Sequence, residues 1–165
     1  MTDAASAIIQ VARLNHPNRP HLLEQFYEQW QDEPLVLDKW LRAQAIVPGA
    51  DTVHRVRELT EHAAFDASNP NKVYALILGF THGNAVGFHN VDGSGYSFLE
   101  DWVRRLDPIN PQVSARLASA LNSWRKYTPE LRTMMKSTLA SILSSPALSS
   151  DVREIISKNL ESASS

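Results

Sequence analysis

The spacing of its apolar residues is the feature that most constrains how this chain folds. In nearly every long segment apolar residues recur three or four positions apart, without a convincing alternation of apolar and polar residues. In the stretch HLLEQFYEQW, one side of a helix would carry Leu22, Leu23, Phe26, Tyr27 and Trp30. This period indicates helices throughout, so the sequence predicts an all-α fold.

Helix-starting residues divide the chain into short segments. Pro34 opens PLVLDKWLRAQAIV, and the pairs Asn69-Pro70 and Asn110-Pro111 stand where two later apolar patterns begin. We count about nine such segments, joined by polar turns short enough to connect antiparallel neighbours. The pattern predicts an α-solenoid-like stack of short antiparallel helices or an irregular helical bundle.

Length and composition limit the classes of protein to consider. We expect residues 1–165 to form one helical domain, with 1–15 as the end of a preceding helix and 161–165 as a frayed tail. The short apolar run near the start is neither a signal peptide nor a membrane span. A net charge of -2 gives no electrostatic reason to expect nucleic acid or an anionic membrane as partner. The absence of cysteine excludes thiolate zinc sites and suits a cytoplasmic location.

Three potential metal ligands share one predicted helix. His54, Glu58 and His62 lie at successive steps of four, so they could offer two imidazoles and a carboxylate to zinc. However, the string H-E-x-x-H, which places two histidines one turn apart, does not occur in the sequence. Histidines two turns apart have Cβ atoms about 12 Å apart, too far to share one tetrahedral ion. An exposed polar face is the favoured interpretation.

The stretch FHNVDGSGY looks most like an active site. Ser94 lacks the preceding strand and the G-x-S-x-G spacing of a nucleophile elbow. We expect Ser94 to cap the helix that follows, and His89 and Asp92 to satisfy loop backbone. Gly93 and Gly95 would permit the turn. Binding of an anion such as phosphate at this helix start is the open alternative.

Several motifs in a fixed order make the chain recognisable. They are DEPLVLDKW, SNPNKVYALILGF, FHNVDGSGYSFLEDWV and INPQVSARL, followed by WRKYTPELRTMM and LSSDVREIISKNL. Together they closely resemble the C-terminal helical domain of the bacterial aminopeptidase N family, the alanyl aminopeptidases of the gluzincin class of zinc metallopeptidases. The resemblance runs from about Leu22 to Leu160.

The resemblance implies a non-catalytic part of a larger enzyme. In this family a thermolysin-like domain carries H-E-x-x-H and a later glutamate ligand for zinc. A C-terminal right-handed superhelix of the ARM/HEAT type closes over that domain. This chain would be the cap that controls peptide access and binding, with the catalytic domain of the same polypeptide and peptide substrates as its partners. We expect no zinc in the chain and no activity from it alone, and self-association of the excised domain is left open.

The resemblance also supplies candidate binding residues. In such enzymes the start of the NPQV helix lines the far side of the substrate cavity, which carries over to Gln112 and Arg116. An amide can bond to a peptide backbone, and a guanidinium can pair with a carboxylate or a main-chain carbonyl. The plain alternative for Arg116 is a solvated helix residue. Tyr74 stands where the family often has a basic residue, and Ala85 where it often has a proline, so Tyr74 is a third candidate that would stack or hydrogen-bond.

A hypothesis of another class competes with the enzyme cap. Helix pairs without a catalytic set would also suit a free-standing α-solenoid that serves as a scaffold for a protein partner. The two hypotheses differ in what they expect of the parent gene, since only the first requires H-E-x-x-H and a later glutamate upstream of this segment.

Overall fold

The computed structural model describes residues 2–14 and 16–161 of the chain. Regular structure in these residues is helical, without a strand, so the all-α prediction is confirmed. Apart from the isolated 3-10 turn Trp124–Lys126, continuous helical stretches number ten in the described part, close to the nine expected. Of the predicted tail, Glu161 ends the last helix, and 162–165 lie outside the described residues. The chain forms two compact units that divide between Phe88 and His89.

The first unit is built from seven α-helices and one π-helical turn, counted in its described residues. They are α1 (Thr2–Arg13), α2 (Arg19–Trp30), α3 (Pro34–Ala45), α4 (Thr52–Leu59), α5 (Pro70–Val73), the π turn (Tyr74–Leu78), α6 (Gly79–Gly83) and α7 (Ala85–Phe88). Helix α3 packs against α1, α2, α4, α5, α6 and the π turn, and its own apolar stripe is buried. The first unit is therefore organised around α3.

Trp40 fixes α3 to α2. Its side chain is only 3% exposed, and its indole N–H donates a 2.7 Å hydrogen bond to the carbonyl of Leu23. The ring of Trp40 also contacts Tyr27 and His62, with ring centroids 4.9 and 5.3 Å away. A buried tryptophan is stable only when its N–H finds a partner, which the Leu23 carbonyl supplies here. This aromatic cluster joins α2, α3 and the segment that follows α4.

The continuous stretch of α5, the π turn and α6 lies against α3. The ammonium of Lys72 is 2.7 Å from the carboxylate of Asp38, with the geometry of an ion pair, and donates a 2.9 Å hydrogen bond to the Pro34 carbonyl. At the other end, a Cβ added to Gly83 would stand 2.6 Å from the side chain of Ile46. The backbone at Gly83 therefore packs directly on the Ile46 side chain, and a buried charge pair fixes the opposite end.

The second unit contains four α-helices and two 3-10 turns among its described residues. They are α8 (Ser94–Leu106), α9 (Pro111–Ala118), the 3-10 turns Ser119–Leu121 and Trp124–Lys126, α10 (Pro129–Leu143) and α11 (Ser150–Glu161). Helix α9 packs against α8 and α11, and α10 also packs against both of them. The hydroxyl of Ser114 on α9 is fully buried and donates to the Val103 carbonyl of α8 at 2.7 Å.

Two polar clusters hold the ends of the second unit's helices. The carboxylate of Asp107, which follows α8, accepts hydrogen bonds from the N–H of Ser149, at 2.8 Å, and from its hydroxyl. The Ser149 hydroxyl oxygen in turn accepts the N–H of Val152 at the start of α11. The indole of Trp124 donates to the side chain of Asn159 at 3.1 Å. These hydrogen bonds supply partners for the buried side chains of Asp107, Trp124 and Asn159, as a stable interior requires.

Within the described residues, every helix is too short or too polar to cross a membrane.

Replacing Lys72 with methionine should destabilise the first unit. The substitution leaves the largely buried Asp38 carboxylate without its counter-ion, and loss of one partner of a buried pair costs about 3 kcal/mol or more. Urea denaturation should show this as a lower free energy of unfolding. Lys126→Met, at an exposed site, is the matched control and should change it by less than about 0.5 kcal/mol. Equal stability of the two variants would contradict the structural role of the pair.

The pH dependence of stability should follow two half-buried histidines. Burial lowers the pKa of His89, and burial together with Arg55 lowers the pKa of His62. Both imidazoles stay neutral in the folded chain at a pH where the unfolded chain already takes up protons. Their stabilisation is complete above about pH 6.5 and is lost as the pH falls through the lowered folded pKa values.

The urea midpoint should accordingly be lower at pH 5.5 than at pH 7.5. The double variant His62→Gln with His89→Gln lacks both groups and should lose less stability over the same interval. A loss of the same size in the variant would assign the pH dependence to other residues.

Candidate functional site

Helix α9 presents two of the predicted site residues together. Asn110 caps the helix, since its side-chain oxygen accepts the N–H of Val113 at 3.2 Å, and proline at the next position fits the first turn. Gln112 and Arg116 lie four residues apart on the exposed face, whereas Val113 and Leu117 are buried beside them. A joint amide and guanidinium surface results, and Arg116 stands in the last turn, where a cation suits the helix dipole.

Tyr74, the third predicted residue, lies in the first unit. It is half-buried and is the first residue of the π turn, whose geometry shows in the bond from the Gly79 N–H to the Tyr74 carbonyl, five residues back. Single π turns within α-helices are frequent at functional sites. Asn69 caps the same stretch by accepting the N–H of Asn71 at 3.0 Å. Tyr74 is thus held at a special backbone position that its sequence does not reveal.

Hydrogen bonds between its own residues hold the loop FHNVDGSGY. Asp92 accepts hydrogen bonds from the N–H of Ser94, at 2.8 Å, and from its hydroxyl, at 2.6 Å, as predicted for a residue that satisfies loop backbone. Gly93 has φ 75°, in the left-handed region that favours glycine, so this prediction also holds. Two details were wrong. Ser94 is the first residue of α8 and the donor to Asp92, and Gly95 lies inside the helix.

His89 bonds to a side chain where loop backbone was predicted. Its Nδ1 lies 2.8 Å from the hydroxyl of Tyr96, and its ring stacks on Tyr127 with centroids 4.2 Å apart. Burial, with a contribution from Tyr127, raises the pKa of Tyr96 to about 12. Ser94 is engaged with Asp92, so the arrangement is not that of a serine nucleophile with its base. The Asp92 carboxylate at the start of α8 also repels a phosphate there.

The three potential metal ligands do not form a site. Glu58 pairs with Arg55 at 3.3 Å, and both Glu58 and His54 are exposed. His62 lies beyond the end of α4, and its Nδ1 accepts the N–H of Ala64 at 3.1 Å. In the described part of the chain no three His, Cys, Asp or Glu side chains are grouped as a metal ion would need. These residues therefore do not fit zinc.

Sequence reasoning missed a groove of about 610 Å³ in the first unit. Tyr27, Trp40 and His62 line it, together with the acidic residues Glu24 and Glu28. From the sequence, Tyr27 was assigned to the apolar side of a helix and His62 to an exposed face. The signal available in the sequence was the pair of glutamates flanking Tyr27 on α2, but the position of His62 depends on how the chain turns after α4.

Comparison with known proteins shows extended similarity. The model of the family described as "Domain of unknown function (DUF3458_C) ARM repeats" matches residues 1–161. Aminopeptidase N of Caulobacter vibrioides is 40% identical over 160 residues, which cover 97% of this chain and 18% of that protein. Aminopeptidase N of Escherichia coli is 36% identical over the same shares of both chains. This chain thus spans less than a fifth of the length of these relatives.

A solved structure shows the same relationship. The chain superposes on the crystal structure of Legionella pneumophila aminopeptidase A in complex with aspartic acid with a TM-score of 0.90 and 39% identity, over 98% of this chain and 19% of that one. ARM repeats are α-solenoid units, in agreement with the predicted fold class. The resemblance read from the sequence motifs is confirmed. The chain therefore belongs to the DUF3458_C family of ARM-repeat domains and is homologous to the C-terminal region of aminopeptidase N.

Proposed function

We propose that this chain is the non-catalytic C-terminal domain of a zinc-dependent aminopeptidase, which removes N-terminal amino acids from peptides. In this proposal the domain caps the catalytic chamber and controls the access and binding of peptides. The observation that carries the proposal is the 40% identity to aminopeptidase N over 97% of the chain. That similarity favours the enzyme cap over a free-standing scaffold.

The exposed face of α9 is the part of the domain that would bind substrate. The Gln112 amide can donate to and accept from a peptide backbone, and the Arg116 guanidinium can pair with a peptide's terminal carboxylate or with a main-chain carbonyl. Both side chains are exposed on one helix face and are four residues apart, a spacing that suits two contacts to one extended peptide. Tyr74, in the first unit, is a separate candidate for contact with peptide, through a phenol that stacks or hydrogen-bonds.

The zinc ion of the proposed enzyme belongs to a catalytic domain of the same polypeptide. His54, Glu58 and His62 do not fit it, because Glu58 pairs with Arg55 and His62 accepts a backbone N–H at Nδ1. This chain would therefore act by holding and orienting peptide, with the chemistry supplied elsewhere. We propose a cytoplasmic location, which the absence of cysteine suits, and neither nucleic acid nor a membrane as partner.

Replacing Arg116 with alanine in the full-length parent should weaken hydrolysis of peptides more than hydrolysis of single amino acid amides. A short amide ends before the cap, whereas a peptide extends toward the guanidinium. Loss of an exposed charge-assisted contact should raise KM for peptides about tenfold, with kcat little changed if the contact serves ground state and transition state alike.

Arg153→Ala is the matched control, because Arg153 is another exposed arginine of the second unit, on α11. It should leave KM unchanged for every substrate. Equal kinetics of the Arg116 variant and the parent on peptides of several lengths would remove Arg116 from the binding site and leave the domain a steric lid.

The 165-residue chain alone should not hydrolyse amino acid arylamides, even with added zinc. The measurement is release of the arylamine over hours, with a purified full-length aminopeptidase as the positive control. Robust zinc-dependent turnover by the chain would overturn the assignment of catalysis to a separate domain.

A further inference from the structure

The groove of the first unit has an aromatic floor. Trp40 is nearly fully buried, whereas Tyr27 and His62 are half-buried and line the open space. The rings of Tyr27 and His62 meet edge to face, with centroids 4.9 Å apart at an angle of 80°. A cavity of about 610 Å³ is within the range of small-molecule sites. The groove thus offers both volume and an aromatic surface.

The tautomer of His62 is fixed by a backbone hydrogen bond, which leaves one ring N–H as a donor. A backbone N–H can only donate, so the 3.1 Å bond from the Ala64 N–H makes Nδ1 of His62 an acceptor. The proton of the neutral ring is therefore on Nε2. Burial and the neighbouring Arg55 lower the pKa of His62, which keeps the ring neutral near pH 7. His62, a lining residue of the groove, thus keeps one N–H donor on Nε2.

Two arginines line the groove. Arg55 lines it from α4, and its guanidinium is oriented by the side chains of Gln44, at 3.5 Å, and Glu58, at 3.3 Å. Arg19 lines it from the start of α2, where its guanidinium donates to the Leu14 carbonyl at 2.9 Å. Guanidinium groups present several N–H donors, so each arginine can also donate to a carboxylate while it keeps these contacts.

Two glutamates line the same groove. Glu24 and Glu28 lie four residues apart on α2, and neither carboxylate has a hydrogen bond or an ion pair within residues 2–14 and 16–161. Like charges at this spacing repel each other mildly, so a cation between them would be favourable. Aromatic faces such as that of Tyr27 add a further attraction for an ammonium group.

We propose that this groove binds short peptides in their zwitterionic form, with the terminal ammonium toward Glu24 and Glu28 and the terminal carboxylate toward Arg55 and His62. An aromatic or apolar side chain of the peptide would rest on Tyr27. The site is separate from Gln112 and Arg116, and it does not depend on the proposed cap function. A dianion such as phosphate is disfavoured by the two carboxylates, and a simple cation by the two arginines.

The test is an NMR titration of the ¹⁵N-labelled chain with the dipeptide phenylalanyl-leucine. The indole N–H of Trp40, which bonds to Leu23 beside the groove, should shift saturably. The indole signals of Trp102 and Trp124, in the second unit, are internal controls and should not move. Two blocked peptides each lack one charge: N-acetyl-phenylalanyl-leucine and phenylalanyl-leucine amide. Each should bind at least about tenfold more weakly than the free dipeptide.

Two variants separate the two ends of the peptide. The double variant Glu24→Gln with Glu28→Gln should weaken binding of the dipeptide about tenfold but leave binding of its N-acetyl form unchanged. Arg55→Met should weaken binding of the dipeptide about tenfold but leave binding of its amide unchanged. Glu130→Gln, an exposed site on α10, is the matched control. An unshifted Trp40 signal in each free variant confirms that the first unit is folded.

The proposal is overturned if no saturable shift occurs, if all tryptophan signals shift alike, or if blocking either terminus has no effect. If Arg116→Ala left the kinetics of the full-length enzyme unchanged, the expected binding of the dipeptide to the groove would not be affected. The two proposals can therefore fail separately.

Discussion

The first unit depends on the close approach of the helical stretch from α5 to α6 onto α3. Lys72 binds Asp38 and the Pro34 carbonyl at one end, and Gly83 leaves room for Ile46 at the other. A buried ion pair fixes register because a displaced partner would leave an uncompensated charge. With α3 held in this way, Trp40 is in place to contact the residues around the groove. Helix α3 therefore contributes both to the core of the first unit and, through Trp40, to the aromatic floor of the groove.

Local rules predicted much of the fold. The start of α9 at Asn110-Pro111 could be predicted, because a side-chain cap and a proline act within one turn. The helical period then placed Gln112 and Arg116 on one face. The π turn at Tyr74 could not be predicted, because no residue type or spacing in the sequence marks a backbone bond five residues back. Ser94 was misassigned as a cap because Asp92, two residues earlier, accepts its N–H instead.

The histidines show why the candidate sites could be predicted only in part. His62 was assigned to an exposed helix face, yet α4 ends at Leu59 and the chain turns so that His62 contacts Tyr27 and Trp40. His89 was expected to serve loop backbone, yet it bonds to Tyr96. In both cases the partner comes from another helix or turn, and a single sequence does not encode such pairings at a fixed spacing. Many polar side chains of this chain hold helices together, and the proposed binding residues Gln112 and Arg116 lie on an exposed helix face.

The proposed binding of peptide by the cap requires that the exposed face of α9 contacts the substrate. The most direct measurement is a crystal structure of the full-length parent enzyme with a bound peptide of several residues, resistant to cleavage. The account predicts that the distal part of the peptide lies within hydrogen-bond distance of the Arg116 guanidinium or the Gln112 amide. A peptide whose distal end is ordered elsewhere, with both side chains in bulk solvent, would contradict it.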